Sequence, residues 1–311
     1  MIEKTFSSVQ DPVRIALWGA GGVYRAYESE LLEMQAKGEI QIVAVADSNV
    51  SAKKGPNGIP LVHPGELNEL DFQYALIMSG NNLDEIKEQA FLDYHIDEDR
   101  LLTYGILKLP KFDFPRYHAL RAACPSIVSN SFWGMAVFRT LQMDIRSPFS
   151  GTRIREHDYL KMLNAFDEYS NERSLAFLGW RLDAYGRRYL AAVVGDINLR
   201  FFEPHTEESA LKTWLAGCSI LNKQYTIVQM STLDPASERQ FDELTGFRRK
   251  ICFVPYKTEV ASSMQVPLES SHHVYELSIE REVEGGLNEV SYDLLDMFLD
   301  NGKGRMNELE L

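Results

Sequence analysis

Short apolar runs alternate with amphipathic segments over the first third of the chain. Four runs have the length of a β-strand, at residues 14–18, 40–46, 73–79 and 101–107. Between the first two, apolar residues recur at helical spacing, and Gly38 follows where a left-handed helix cap is expected. Residues 83–94 show a second helical pattern. Strands that alternate with helices predict a parallel sheet covered by helices, as in a Rossmann-like domain.

Two prolines, Pro110 and Pro115, interrupt this alternation, and we place a domain boundary there. Beyond it, strands are predicted at residues 126–129, 225–230 and 250–255, and helices at 134–143, 157–169, 207–221 and 237–244. Residues 191–201 predict two strands joined by a tight turn at Gly195 and Asp196. The sequence therefore predicts an α/β protein, with a Rossmann-like parallel-sheet domain over residues 1–110 and a second α/β domain over residues 111–311.

The composition is that of a globular protein and disfavours several function classes. The chain has 311 residues, of which 45% are hydrophobic, a length that favours about two domains. Its formal net charge of −13 repels a phosphate backbone, so nucleic acid is not an expected partner. No apolar run approaches the roughly 20 residues that span a bilayer, and no signal-peptide pattern is present. We therefore expect a cytoplasmic protein without a membrane span.

A glycine-rich turn follows the first predicted strand. Backbone N–H groups of such a turn, at the start of a helix, bind phosphate. Asp47 ends the second strand, where a carboxylate accepts a hydrogen bond from a ribose hydroxyl. Tyr24 stands where the dinucleotide fingerprint has a third small residue, so the match to an NAD site is incomplete. A nucleotide pocket for a nucleotide-sugar or for NAD is predicted, with a purely structural turn as the alternative; its residues are Gly19, Gly21, Gly22 and Asp47.

A second candidate site follows the first strand beyond the boundary. Ser129 and Asn130 end that strand, and Trp133 comes shortly after. An indole face covers the C–H groups of a sugar ring while amide and hydroxyl groups bind its hydroxyls, so these three residues make a candidate sugar-binding platform. The alternative is that Asn130 caps the following helix and Trp133 fills the core.

Three residues are candidates for a catalytic group: Asp158, Asp196 and His205. Asp158 begins a helical pattern, so a place in the first turn of a helix is its alternative role. Asp196 lies in the predicted turn and would enter the chemistry only if it faced Asn130 across a cleft. The cysteines lack metal-ligand spacing, and His272 and His273 lack helical i, i+4 spacing, so no metal site is expected.

Three segments of the first domain carry a family resemblance: residues 18–22, 46–48 and 58–67. They resemble the Rossmann-like N-terminal domain of bacterial sugar acetyltransferases of the sialic-acid and bacillosamine type. The resemblance implies that the glycine turn and Asp47 face a nucleotide-linked sugar. The hexapeptide repeats that transfer the acetyl group in those enzymes are absent, so only the binding role is expected here.

Short motifs of the second domain follow one another at residues 128–134, 146–151, 158–163, 194–197 and 241–244. Together they resemble the bacterial domain of unknown function 1919, a family associated with exopolysaccharide biosynthesis. The resemblance implies a setting in surface-glycan assembly but no defined chemistry. The chain departs from the family pattern at Ser131 and Phe132, and His205 is displaced from the histidine positions of relatives. These departures favour a non-catalytic scaffold as one alternative.

We therefore expect a nucleotide-sugar-binding protein of bacterial surface polysaccharide biosynthesis, and leave open whether it modifies or transfers the sugar. One alternative is an NAD-dependent oxidoreductase acting on a sugar, for which Tyr24 and His63 are the available proton donors. The other is a non-catalytic scaffold in a glycan assembly complex. The expected partner is a small-molecule nucleotide or sugar, and a homo-oligomer is compatible with the sequence.

Overall fold

The fold is given by a computed structural model that describes residues 11–49, 55–171, 175–202, 206–266, 282–283, 286–287 and 293–299. The chain forms two compact units, the first ending at Ala119 and the second beginning at Leu120. This division lies within one helix, beyond the boundary that the prolines suggested. Within the described ranges, no helix combines the length and the apolar character needed to cross a membrane.

The first unit is a parallel sheet with helices. Its elements in chain order are β1 (Val13–Trp18), α1 (Gly22–Ala36), β2 (Ile40–Ala46), β3 (Leu61–Val62), β4 (Tyr74–Ile77), α2 (Leu83–Leu92), β5 (Leu101–Thr103) and α3 (Phe114–Ala123). The five strands are all parallel and lie in the order β3-β2-β1-β4-β5. The predicted α/β class and the predicted parallel sheet are confirmed.

The central strands are apolar on both faces because helices cover a parallel sheet from both sides. Ile15, Ala16 and Leu17 of β1 are fully buried. Helix α1 ends at a left-handed glycine, Gly38, with φ +77°, as the sequence predicts. From β1 the chain builds outward through β2 to β3 and then returns to β4 on the other side of β1. Such a reversal leaves a crevice at the carboxyl ends of the two strands involved.

The second unit contains two four-stranded sheets. Its elements are β6 (Ser126–Ser129), α4 (Trp133–Thr140), β7 (Thr152–Ile154), α5 (Glu156–Asn164), α6 (Phe166–Tyr169), β8 (Leu175–Leu182), β9 (Arg188–Val194), β10 (Ile197–Phe201), α7 (Glu207–Ile220), β11 (Thr226–Ser231), α8 (Pro235–Asp242), β12 (Arg249–Val254), β13 (Ser263–Gln265), β14 (Glu282–Val283), β15 (Gly286–Leu287) and α9 (Leu294–Leu299). One sheet is parallel, in the order β13-β12-β11-β6, and the other is antiparallel, in the order β7-β10-β9-β8.

A single buried cluster holds the two sheets of the second unit together. It includes Val128 and Val228 of the parallel sheet, Trp214 of α7, and alternate residues of the antiparallel sheet such as Leu190 and Leu199. Because successive side chains of a strand point to opposite faces, the residues between these alternate positions lie on the other face of the antiparallel sheet.

Candidate functional site

The crevice of the first unit is formed where β1 and β4 end. Gly19 follows β1 with φ +111°, a backbone conformation that other residues rarely adopt. A Cβ built on Gly19 would lie 3.2 Å from the carbonyl oxygen of Met78, which follows β4. The Gly19 N–H donates to the Ala46 carbonyl, at 2.7 Å, at the end of β2. The glycine turn is therefore held between the two neighbouring strand ends, and only glycine fits at its first position.

Asp47 is held against this turn. Its Oδ2 accepts the Ala20 N–H at 2.9 Å, and its Oδ1 accepts the Asn49 N–H at 2.9 Å. The structure thus brings the predicted acid and the predicted glycine turn together at one sheet edge. The carboxylate takes up one N–H group of the turn, and its remaining lone pairs stay available to a hydroxyl donor.

The start of α1 is open above the turn. Gly21 is the N-cap residue of α1, and no side chain caps the helix there. A Cβ placed on Gly21 or on Gly22 would meet no atom within 4 Å. The first N–H groups of a helix have no partner within the helix and attract anions. Because the first unit has both open space and unpaired donors at this point, the arrangement is able to bind an anionic group.

Aromatic side chains that the sequence did not single out lie at the carboxyl ends of the strands. The rings of Tyr27, on α1, and Tyr104, just after β5, are 5.9 Å apart between centroids. Both are half-buried. The Lys108 ammonium lies 5.2 Å from the centre of the Tyr104 ring. The order of the strands brings Tyr104 here, because β5 follows β4 at the end of the sheet, and nothing in the local sequence indicates this.

The two proton donors proposed for a redox reaction both make local hydrogen bonds. The Tyr24 hydroxyl donates to the Glu28 carboxylate at 3.1 Å. Burial of the hydroxyl, and secondly this carboxylate, raise the pKa of Tyr24 to about 12. General acids work best with a pKa near the working pH, so Tyr24 is a poor one. The His63 Nδ1 accepts the Gly65 N–H at the start of a short 3₁₀ helix.

Three glycines of the first unit allow a graded test of the turn. We expect Gly19→Ala to lower the free energy of unfolding by about 2 kcal/mol, since it combines an unfavourable φ with a close contact. Gly38→Ala has only the unfavourable φ and should cost about 1 kcal/mol. Gly21→Ala has neither and should stay within about 0.5 kcal/mol of the parent. Urea denaturation measures the three values, and equal losses would contradict the proposed contact with Met78.

Asn130 of the second unit is fully buried and joins three strands. Its side-chain amide donates to the Ser231 carbonyl at 3.1 Å and accepts the Ser231 N–H at 3.0 Å. Its own carbonyl accepts the Ile154 N–H at 3.2 Å, so the same residue connects β6 and β11 to β7. The N-cap position of α4 is occupied by Phe132. The prediction that Asn130 caps the helix is therefore wrong, and its amide has a structural partner in place of a sugar.

Ser129 and Trp133 are also buried. The Ser129 hydroxyl donates to the Gln229 side chain and accepts the Ser131 N–H at 3.1 Å. The Trp133 indole has no exposed surface and packs against Phe253 at 5.5 Å between ring centroids. A buried indole offers no face to a sugar, so the platform prediction is wrong for Trp133, and its core alternative is correct.

The catalytic candidates are not brought together. Asp158 lies in the first turn of α5 and accepts the backbone and side-chain N–H groups of Asn198, both at 3.1 Å. The exposed Asp196 pairs with Lys161 and accepts the Tyr169 hydroxyl at 2.6 Å, and these two partners lower the pKa of Asp196. Asp196 and Asn130 thus have separate partners. His205 lies outside the described residues.

Buried acids and thiols of the described residues have structural partners. Glu238 of α8 accepts the hydroxyls of Tyr256, at 3.1 Å, and Thr258, at 2.6 Å. Burial raises the pKa of Cys252 to about 12, so the thiol stays protonated and unreactive at neutral pH. Within the described ranges, no three metal-ligating side chains are grouped so that they could hold an ion.

Comparisons with known families cover most of the chain. Residues 12–102 match a family model described as C2185-like, N-terminal. No curated protein matches the chain. The resemblance of the first domain to sugar acetyltransferases stays a prediction from the sequence. Residues 105–298 match the model described as domain of unknown function (DUF1919), and because this match spans more than half of the chain, the protein belongs to the DUF1919 family.

Proposed function

We propose that the first unit binds a nucleotide, and in its leading form a nucleotide-linked sugar, at the crevice between β1 and β4. The observation that carries the proposal is the contact of Asp47 with the glycine turn at the point where the strand order reverses. Ligands of open parallel sheets bind at such a point, outside the carboxyl ends of the strands.

Each part of a nucleotide finds a suitable chemical group in this unit. The open N-terminus of α1 offers unpaired N–H groups and a positive dipole end to phosphate oxygens. Asp47 is an acceptor for a ribose or sugar hydroxyl. The half-buried rings of Tyr27 and Tyr104 offer flat apolar surface of the kind on which a base or a sugar packs.

The sequence resemblances of both domains support a setting in bacterial surface polysaccharide biosynthesis for this binding function. A binding role is the more economical proposal, because the candidate acids Asp158 and Asp196 are held by structural partners. The NAD-dependent alternative uses the same crevice, but Tyr24 is a poor general acid and His63 caps a short 3₁₀ helix through Nδ1.

A thermal denaturation series tests the proposal. UDP-glucose at millimolar concentration should raise the melting temperature, because a ligand that binds only the folded state adds about 2.7 kcal/mol at a hundredfold excess over its Kd. Gly21→Val should abolish this shift with little loss of stability, since the added atoms enter the open space where the ligand binds. Asp99→Asn, an exposed acid on the same unit, is the matched control and should keep the full shift.

Three outcomes distinguish the nucleotide-sugar proposal from the redox alternative and from a purely structural turn. A shift by UDP-glucose that Gly21→Val removes supports the nucleotide-sugar proposal. A shift by NAD and none by UDP, UDP-glucose or other nucleotide-sugars would replace it with the redox alternative. If neither nucleotide-sugars nor dinucleotides shift the melting temperature, the turn is structural and the binding proposal is wrong.

A further inference from the structure

Two arginines face each other on the antiparallel sheet of the second unit. Arg153 of β7 and Arg200 of β10 are directly paired across the two strands. Opposite residues on neighbouring antiparallel strands point to the same face of the sheet, with Cβ atoms about 5 Å apart. Leu199 and Ile154, the neighbouring pair, belong to the buried core. The two guanidinium groups therefore project from the face of the sheet that lies away from that core.

Aromatic rings surround these arginines. The Arg153 guanidinium lies 4.5 Å from the centre of the Phe132 ring and 5.3 Å from that of Phe202. The Arg200 guanidinium lies 5.4 Å from the centre of the Tyr189 ring. The rings also contact one another, because Phe202 is 5.4 Å from Phe132 and 5.5 Å from Tyr189 between centroids. We call these five residues the arginine–aromatic face.

The positive charge of this face is concentrated. Arg153 is 6% exposed, and Arg200 is half-buried. Arg187 adds a third guanidinium 5.7 Å from the Phe202 ring, and it pairs with Asp183 at 2.8 Å. In the described part of the chain, no carboxylate pairs with Arg200. A phosphate group beside Arg153 and Arg200 would accept charge-assisted hydrogen bonds from guanidinium N–H groups.

We propose that the arginine–aromatic face is a second binding site, which takes the phosphate group of a phosphorylated sugar. Guanidinium groups present paired N–H donors whose geometry matches phosphate oxygens. Phe132 and Phe202, both half-buried, supply apolar surface beside the charges for the C–H face of a sugar ring. The site lies wholly in the second unit and does not depend on the nucleotide proposal for the first.

One aromatic residue of this face is Phe132, one position before the predicted Trp133. Trp133 turns into the core, whereas Phe132, directly before it, stays at the surface and stacks on Arg153. Phe132 is also a position at which the chain departs from the family pattern. A sugar phosphate would therefore meet groups different from those that the sequence suggested.

Calorimetric titration of the full chain with glucose 1-phosphate at low salt tests the site. The titrations use the Gly21→Val variant, which closes the crevice of the first unit, so that binding reports the second unit alone. Arg200→Met should weaken binding of glucose 1-phosphate about tenfold or more, the loss of a charge-assisted hydrogen bond. Arg200→Lys keeps the charge but loses the paired donors, and should give an intermediate affinity.

Arg188→Met is the matched control. Arg188 is an exposed arginine on β9 that stacks on Trp180 at 4.1 Å, and it shares the opposite face of the sheet with Leu190. This variant should bind glucose 1-phosphate as the parent does. Glucose without phosphate should bind at least tenfold more weakly than glucose 1-phosphate, and inorganic phosphate should bind with an affinity below that of the sugar phosphate.

The outcomes separate binding from structure. The phosphate ester should raise the melting temperature of the parent but not that of Arg200→Met. A purely structural Arg200 predicts that the ester raises the melting temperatures of both proteins by the same amount. Equal affinities of the parent and Arg200→Met, equal losses in Arg188→Met, or no binding of any phosphate ester would each overturn the proposal.

Discussion

Replacing Asn130 by alanine is expected to lower the free energy of unfolding by about 3 kcal/mol. The substitution removes two hydrogen bonds between the Asn130 amide and the backbone of Ser231, which is itself fully buried. A buried donor or acceptor that loses its partner costs about 1–3 kcal/mol, and here one N–H and one carbonyl lose theirs together. Urea denaturation of the purified variant measures the loss.

The matched control is Asn198→Ala. Asn198 is exposed, and its side chain donates to Asp158, so its loss should change the free energy of unfolding by less than about 0.5 kcal/mol. A loss near 1 kcal/mol or less for Asn130→Ala would instead indicate that the two hydrogen bonds to Ser231 contribute little to stability. Unchanged stability together with weaker binding of sugars would restore the sugar-binding role that the sequence suggested.

The parallel sheet of the first unit is predictable because its signals are local. Residues 40–46 form β2 with the predicted bounds, and Gly38 takes the left-handed conformation that its position after α1 requires. The turn at Gly195, with φ +59°, is likewise encoded in two adjacent residues. Periodicity and turn chemistry act over a few residues, so both can be read directly from the sequence.

Other elements could not be predicted correctly from local sequence patterns. Strand β8 was not predicted, although residues 175–180 are mostly apolar. In the structure this apolar run is not buried, because its residues occupy half-buried and exposed positions. The predicted helix over residues 157–169 is split at Ala165, which leaves the helical conformation with φ −129° and ψ 44°. The predicted strand over residues 101–107 is shorter, since Tyr104 begins a 3₁₀ turn.

The candidate sites also differ in whether local sequence could predict them. Gly19 and Asp47 could be paired from the sequence because both follow consecutive strands of one βαβ unit. Asn130 could not be assigned, because its partner Ser231 lies 101 residues away in the chain. Arg153 and Arg200 carried no motif, and only the pairing of β7 with β10 places them together. Contacts between distant segments therefore determine which residues come together in the second unit, where local sequence patterns were least informative.

Gly217→Ala is expected to destabilise the protein by about 3 kcal/mol, although alanine favours a helix over glycine by about 1 kcal/mol. Gly217 lies within α7, and a Cβ built there would be 2.5 Å from both the N and the Cα atoms of Pro148. These are backbone atoms, so no side-chain rotation relieves the clash and the segment before β7 must move.

Urea denaturation of the variant measures the loss, with Gly22→Ala as the control. Gly22 is also helical, but a Cβ built on it has open space around it. Should Gly217→Ala match or exceed the parent in stability, the close packing of α7 on Pro148 is wrong. The arginine–aromatic face gives a second readout in the Gly21→Val background, since a shift of the Pro148 segment would displace Arg153 on β7 and weaken binding of glucose 1-phosphate.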